Sequence, residues 1–263
     1  MALIDCNFFS DALGMACSLT AILPQRTLER LDVTPPDDDG FPVLYLLHGL
    51  SDDHTTWVRR TALERYVAGR GVAVIMPNVH RSFYTDMYAG NRYWTFVSQE
   101  LPRVCRSLFP LSAAPARTYV AGLSMGGYGA FKLALRCSGA FAAAASLSGA
   151  LDLSPQSTDW TERPADLAHV FGPSEAFDGS DNDLFHLLRT AAAEGRPLPR
   201  LYACCGTEDF LLGGNRRFQE VAVELGVELT YEEQPGTHAW AYWDRHIQRV
   251  LDWLPLPPAT SAP

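Results

Sequence analysis

Residues Gly122-Leu123-Ser124-Met125-Gly126 place a serine between two glycines, each two positions away, and this run constrains the chain more than any other feature. Upstream, Arg117-Thr118-Tyr119-Val120-Ala121 is β-branched and aromatic, as suits a buried strand. Downstream, Tyr128 to Arg136 sets Phe131, Leu133, Ala134 and Leu135 in a helical pattern whose small residues allow close packing. Strand, sharp turn and helix with serine at the apex make a nucleophile elbow. The glycines are required because side chains at those two positions would collide with the helix and the strand. The alternative, a glycine-rich turn with an idle serine, leaves both flanks unexplained.

The 263 residues, 47% of them hydrophobic, suffice for one large core, so residues 1–254 are read as a single domain. A formal net charge of −9, with no Lys/Arg cluster, disfavours a nucleic-acid partner. No stretch is long and apolar enough for a membrane span, and the N-terminus lacks the pattern of a secretory signal. Six irregularly spaced cysteines, Cys204 and Cys205 adjacent among them, fit reduced, mostly buried thiols and not a disulfide framework or zinc site. The expected location is the cytoplasm.

Leu3 to Phe9 and Met15 to Leu23 predict an antiparallel pair at a sheet edge. Val43 to Leu47 is continuously apolar, as expected of a central strand covered on both faces. Further strands are expected at Val72 to Met76, Tyr119 to Leu123, Ala142 to Leu147, Leu201 to Cys205 and Val227 to Glu232, with helical patterns between them. The alternation implies an α/β fold with a mostly parallel central sheet, helices on both faces and an antiparallel N-terminal edge. Pro35 to Gly40 reads as a polar loop, Leu151 to Arg200 as an irregular insertion over the rim or lid, and 255–263 as a frayed tail.

An elbow serine needs a base, and the base needs a carboxylate to hold its tautomer. In folds that carry this elbow the order along the chain is serine, acid, histidine. His169, His186, His238 and His246 follow Ser124. His238 lies in a loop directly after the last strand, where it can reach over the sheet edge. His186 and His246 fall in helical stretches and read as surface or core residues. Glu208 and Asp209 both follow the Leu201 to Cys205 strand. Asp209 is favoured because its shorter side chain is the more rigid orienter, which leaves Glu208 a solvated loop charge. Backbone N–H groups of Leu50 and Met125 are the candidate oxyanion donors. His48 reads as shaping the loop that presents Leu50.

Asp52, Asp53 and His54 could suggest a metal site, but Ser51-Asp52-Asp53 is accounted for as a cap of the next helix. No metal or cofactor is expected. Among the aromatic residues, Trp57, Trp160 and Trp240 are pocket candidates, with Trp240 two residues beyond the proposed base.

These segments resemble the esterase D superfamily of α/β-hydrolases, and most closely its bacterial tributyrin-esterase branch. The likeness runs through Tyr45-Leu46-Leu47-His48-Gly49-Leu50 with Trp57, Met76-Pro77-Asn78 with Tyr84-Thr85-Asp86, and Ala121 to Ala134. It continues through Ser146 to Ala150, Cys205 to Leu211 and Gly236-Thr237-His238-Ala239-Trp240. The resemblance implies Ser124, Asp209 and His238 as a catalytic triad, Leu50 and Met125 as oxyanion donors, and hydrolysis of short-chain acyl esters. The superfamily also contains S-formylglutathione hydrolases, feruloyl and acetyl-xylan esterases, and mycolyl transferases. Where S-formylglutathione hydrolases typically carry histidines, this chain has Leu123 and Tyr128; where the tributyrin branch usually has glutamate, it has Ala239.

The expected activity is that of a serine carboxylesterase acting on a small-molecule ester, in a chain compatible with homo-oligomer formation. The competing readings are a feruloyl or acetyl-xylan esterase, an S-formylglutathione hydrolase, and a pseudoenzyme that only binds a ligand.

Overall fold

A computed structural model describes residues 1–25, 39–158, 160 and 164–256, with the side chains of 164–166 not included. The expected loop over 35–38 and most of the expected tail, 257–263, lie outside the described residues.

Eight strands form one sheet: β1 (Ala2–Ser10), β2 (Met15–Leu23), β3 (Val43–Leu47), β4 (Ala73–Pro77), β5 (Thr118–Leu123), β6 (Ala143–Leu147), β7 (Arg200–Gly206) and β8 (Leu229–Gln234). Their spatial order is β1-β2-β4-β3-β5-β6-β7-β8. β2 is antiparallel to both β1 and β4, and every pairing from β4 across to β8 is parallel. The antiparallel edge and the strands expected from the sequence are therefore borne out, with ends displaced by one or two residues.

Burial follows position in the sheet. Every residue of β3, β4, β5 and β6 is buried, whereas β1 alternates between exposed and partly buried along most of its length. Along β3, Val43, Tyr45 and Leu47 enter one core layer, and Leu44 and Leu46 enter the other. This is the two-residue period of a strand covered on both faces.

The second layer, behind Leu44 and Leu46, is closed by α1 (Thr56–Arg60), α2 (Leu63–Val67) and α9 (Trp240–Trp253). On the first face, α3 (Tyr93–Thr95) runs through a π-helical turn at Phe96–Glu100 into α4 (Leu101–Leu108). The elbow helix α5 (Met125–Arg136), α6 (Pro164–Phe171), α7 (Leu184–Ala193) and α8 (Leu212–Glu224) complete that face.

The segment 151–200 is more regular than expected. α7 is a ten-residue helix, capped by Asp183 through the Phe185 and His186 N–H groups, and it packs on α5 as part of the main layer. An aromatic cluster of Phe83, Tyr128, Trp160, Phe171 and Phe177 joins the preceding rim to the core. No helix among the described residues is long and apolar enough to cross a membrane.

From β3 the chain moves outward to β4, then returns to lay β5 against the opposite side of β3. Such a reversal opens a crevice at the carboxyl ends of the two strands. Gly49 follows β3 and Ser124 follows β5, so both candidate halves of the site meet at this switch point.

Candidate active site

Ser124 links β5 to α5 with φ 54° and ψ −117°, a conformation that L residues rarely adopt. Such strain costs about 1–3 kcal/mol and persists only where the surroundings enforce it. They do so here through contact of backbone with backbone. A Cβ on Gly122 would come within 2.4 Å of the Gly126 carbonyl, and one on Gly126 within 2.4 Å of the Leu47 carbonyl oxygen.

Ser124 Oγ lies 3.0 Å from His238 Nε2, and His238 Nδ1 lies 2.9 and 3.0 Å from the two Asp209 carboxylate oxygens. Since an ionised carboxylate only accepts, Nδ1 carries the proton and Nε2 presents its lone pair to the serine hydroxyl. The neutral imidazole is thus in the tautomer of a general base. Burial alone would raise the Asp209 pKa. Hydrogen bonds from His238 and the Leu211 N–H outweigh it and hold the carboxyl below its ordinary range.

Three turns of chain deliver these groups. Asp209 follows β7, and His238 follows β8 on a loop that closes against β7. Thr207 and Glu208 donate their N–H groups to the Gln234 and Gly236 carbonyls, and the Glu208 carboxylate accepts the Gly236 N–H at 2.6 Å. Glu208 is therefore not the idle solvated charge expected from the sequence: it braces the loop that carries His238.

The loop after β3 is held by hydrogen bonds at His48 and Gly49. His48 Nδ1 lies 2.7 Å from the Gly49 carbonyl oxygen, and the Val79 N–H donates to His48 Nε2 at 3.0 Å. These partners require a neutral imidazole protonated at Nδ1, consistent with burial pushing its pKa down to about 4. The Tyr84 hydroxyl donates to the His48 carbonyl at 2.9 Å, and the Asp52 N–H reaches the Gly49 carbonyl. A Cβ built on Gly49 would stand 3.7 Å from Ser124 Cβ, so this loop passes directly beside the serine. The Met125 N–H is the first of α5 and has no carbonyl one helical turn before it. At this end the helix dipole favours a developing negative charge.

The aromatic candidates separate by burial. Trp57 is 0% exposed and donates its indole N–H to the Leu47 carbonyl, so it supports β3 from behind and does not line a pocket. Trp160, 9% exposed, donates to Leu153 and is wedged between Phe171 and Phe177 within the rim. Trp240 is partly buried between Trp57 and Trp243. The rings packed on the His238 imidazole are Trp243, edge-on at 4.9 Å, and Phe210 at 4.6 Å. Neither was among the pocket candidates expected from the sequence; their adjacency to Asp209 and to the helix after His238 was the available signal.

The Ser51-Asp52-Asp53 segment does not supply the N-cap of α1, which is Thr55. Asp53 instead accepts from the Thr55 N–H and from the Thr55 and Thr56 hydroxyls, tying the turn that enters the helix. Cys204 and Cys205 are buried free thiols, and burial pushes Cys204 up to about 12, which removes thiolate character.

The Esterase family model matches residues 22–254. An acetyl esterase of Caldicellulosiruptor saccharolyticus is 31% identical over 97% of this chain and 98% of its own. Among solved structures, FphF, a fluorophosphonate-binding serine hydrolase of Staphylococcus aureus, superimposes with a TM-score of 0.87 at 35% identity, covering 96% of this chain and 98% of its own. An S-formylglutathione hydrolase of the same organism gives a TM-score of 0.83 at 35% identity with the same coverage. Motifs, fold and whole-length similarity agree, and the chain belongs to the Esterase family on an α/β-hydrolase fold.

Proposed function

We propose that this esterase hydrolyses short-chain acyl esters through an acyl-enzyme intermediate. His238 Nε2 takes the proton of Ser124 as Oγ attacks the ester carbonyl, and Asp209 steadies the imidazolium that forms. The amides of Leu50 and Met125 receive the developing oxyanion, each such donor being worth roughly 3–4 kcal/mol of barrier. His238 then protonates the departing alcohol, and water repeats the sequence to release the acid. The observation that carries this reading is the continuous contact from Asp209 through His238 to Ser124. Trp240 packs edge-on against Trp243, the buried ring that lies on the His238 imidazole. The substrate is a small-molecule ester, with no nucleic-acid partner, and the proposed setting is the cytoplasm.

The full-length similarity to an S-formylglutathione hydrolase favours thioester cleavage as a second reading. The same machinery serves both, because an oxyanion forms in either case. Rates on p-nitrophenyl esters from acetyl to octanoyl, on methyl ferulate and on S-formylglutathione, with wild type beside Ser124→Ala, separate them. A peak at acetyl to butyryl that disappears in the variant is the expected result. A preference for S-formylglutathione would install the second reading, and full activity in Ser124→Ala would remove both.

A further inference from the structure

Resting on the serine-esterase reading above, we propose that Phe210 is the subsite for the leaving alcohol, selecting substrates by the carbon skeleton beyond the ester oxygen. The argument begins with the directions available around the attacked carbon. Its four substituents in the tetrahedral state are Ser124 Oγ, the oxyanion, the acyl chain and the leaving oxygen. The oxyanion points to the Leu50 and Met125 amides. The leaving oxygen must come within hydrogen-bond distance of His238 Nε2 to collect its proton. The alcohol's first carbons therefore lie beside the imidazole, and the acyl chain takes the remaining direction.

Of the two rings packed on that imidazole, Trp243 is buried at 5% exposure, whereas Phe210 is 71% exposed. Phe210 belongs to neither core layer, although the next residue, Leu211, packs into one. Its backbone is set by its neighbours: Asp209 accepts the Leu211 N–H, and the Leu212 N–H returns to the Asp209 carbonyl. A phenyl ring is thus presented to solvent against the proton donor of the reaction. Alcohols with an aromatic or apolar carbon next to the oxygen match this surface.

The same subsite receives an acceptor alcohol during deacylation. The acceptor oxygen bonds to the acyl carbon as its proton passes to His238 Nε2. Collapse breaks the carbon–Oγ bond and returns that proton to Ser124. Ester and free enzyme result, with no further reactant.

Benzyl acetate and ethyl acetate share an acyl group and differ in the alcohol, so the ratio of their kcat/KM values reads this subsite. Phe210→Ala is expected to lower the benzyl-to-ethyl ratio roughly five- to tenfold, the scale of one lost aromatic contact, and Phe210→Trp to retain it. Formation of benzyl acetate from p-nitrophenyl acetate and benzyl alcohol should fall, relative to hydrolysis, by a similar factor. An unchanged ratio, an equal loss on both acetates, or a shift in the ethyl butyrate-to-ethyl acetate ratio instead would overturn the assignment. Fluorophosphonate labelling of wild type keeps the two levels apart. Labelled protein with an unmoved ratio overturns the Phe210 subsite alone, while unlabelled, inactive wild type overturns the esterase reading and the subsite with it.

Discussion

His48 Nδ1 donates to the carbonyl oxygen of its neighbour Gly49 across 2.7 Å, and this bond governs an amide that neither residue owns. The Gly49 carbonyl and the Leu50 N–H belong to one planar trans peptide, in which they point in opposite directions. Fixing the carbonyl toward His48 therefore aims the Leu50 N–H away from it. We predict that His48→Ala lowers kcat on p-nitrophenyl acetate about ten- to a hundredfold with KM changed less than about threefold, somewhat short of deleting a donor outright. Loss of thermal stability with kcat intact would restrict His48 to a folding role.

Asp209→Asn keeps the shape of the carboxylate but can offer its amide N–H to Nδ1, which favours the tautomer with the proton on Nε2, facing Ser124. The expected loss in kcat is about 10³–10⁴-fold, with an unaltered circular dichroism spectrum. A loss below about tenfold would show that the carboxylate is not the orienting group.

Lys132 is wholly buried on the elbow helix, where its Nζ donates to Thr85 Oγ1 and Asn182 Oδ1, both at 2.7 Å, and burial holds its pKa well below the ordinary lysine range. It ties α5 to the loop carrying the positive-φ residues Phe83 and Tyr84 and to the turn before α7. Lys132→Met retains most of the stem volume but leaves buried acceptors unpaired, a cost of about 1–3 kcal/mol by chemical denaturation. Lys132→Ala adds a cavity and should cost more. Equal stability of both variants and wild type would show that the network contributes nothing net.

Burial pushes both His48 and His246 down to about 4 from an ordinary 6.5. His246, stacked on Tyr242 and with no hydrogen-bond partner on either ring nitrogen among the described residues, is further disfavoured as a cation by Arg249 and Arg245, with Glu232 opposing them. Between these pKa values the unfolded chain binds protons that the native state does not. Stability is therefore greatest above pH 6.5 and falls as pH drops toward 4. Urea midpoints from pH 7 to 4 should show this decline, and a shallower one in His246→Leu. Parallel curves would mean that His246 does not contribute.

The local features of this protein were legible because their causes are local. The elbow at Ser124 needs glycine at 122 and 126 for contacts made within one turn of chain and one neighbouring strand, and the apolar run Val43 to Leu47 declares a strand covered on both faces. Asp209 and His238 could be singled out because chain order and the ends of β7 and β8 narrow the choice. What tertiary structure decided depends on segments far apart in sequence. Whether Trp57, Trp160 or Phe210 meets solvent is set by which helices close over it, and equal hydrophobicity conceals that. Glu208 acquires its role only because Gly236, 28 residues away, is folded within reach of its carboxylate. The sequence by itself singled out Ser124, Asp209 and His238 and the strands whose ends carry them; the spatial order of those strands, the distances between the three groups, and which aromatic ring stands open beside His238 were decided by packing, because burial is a property of the whole layer and not of a residue.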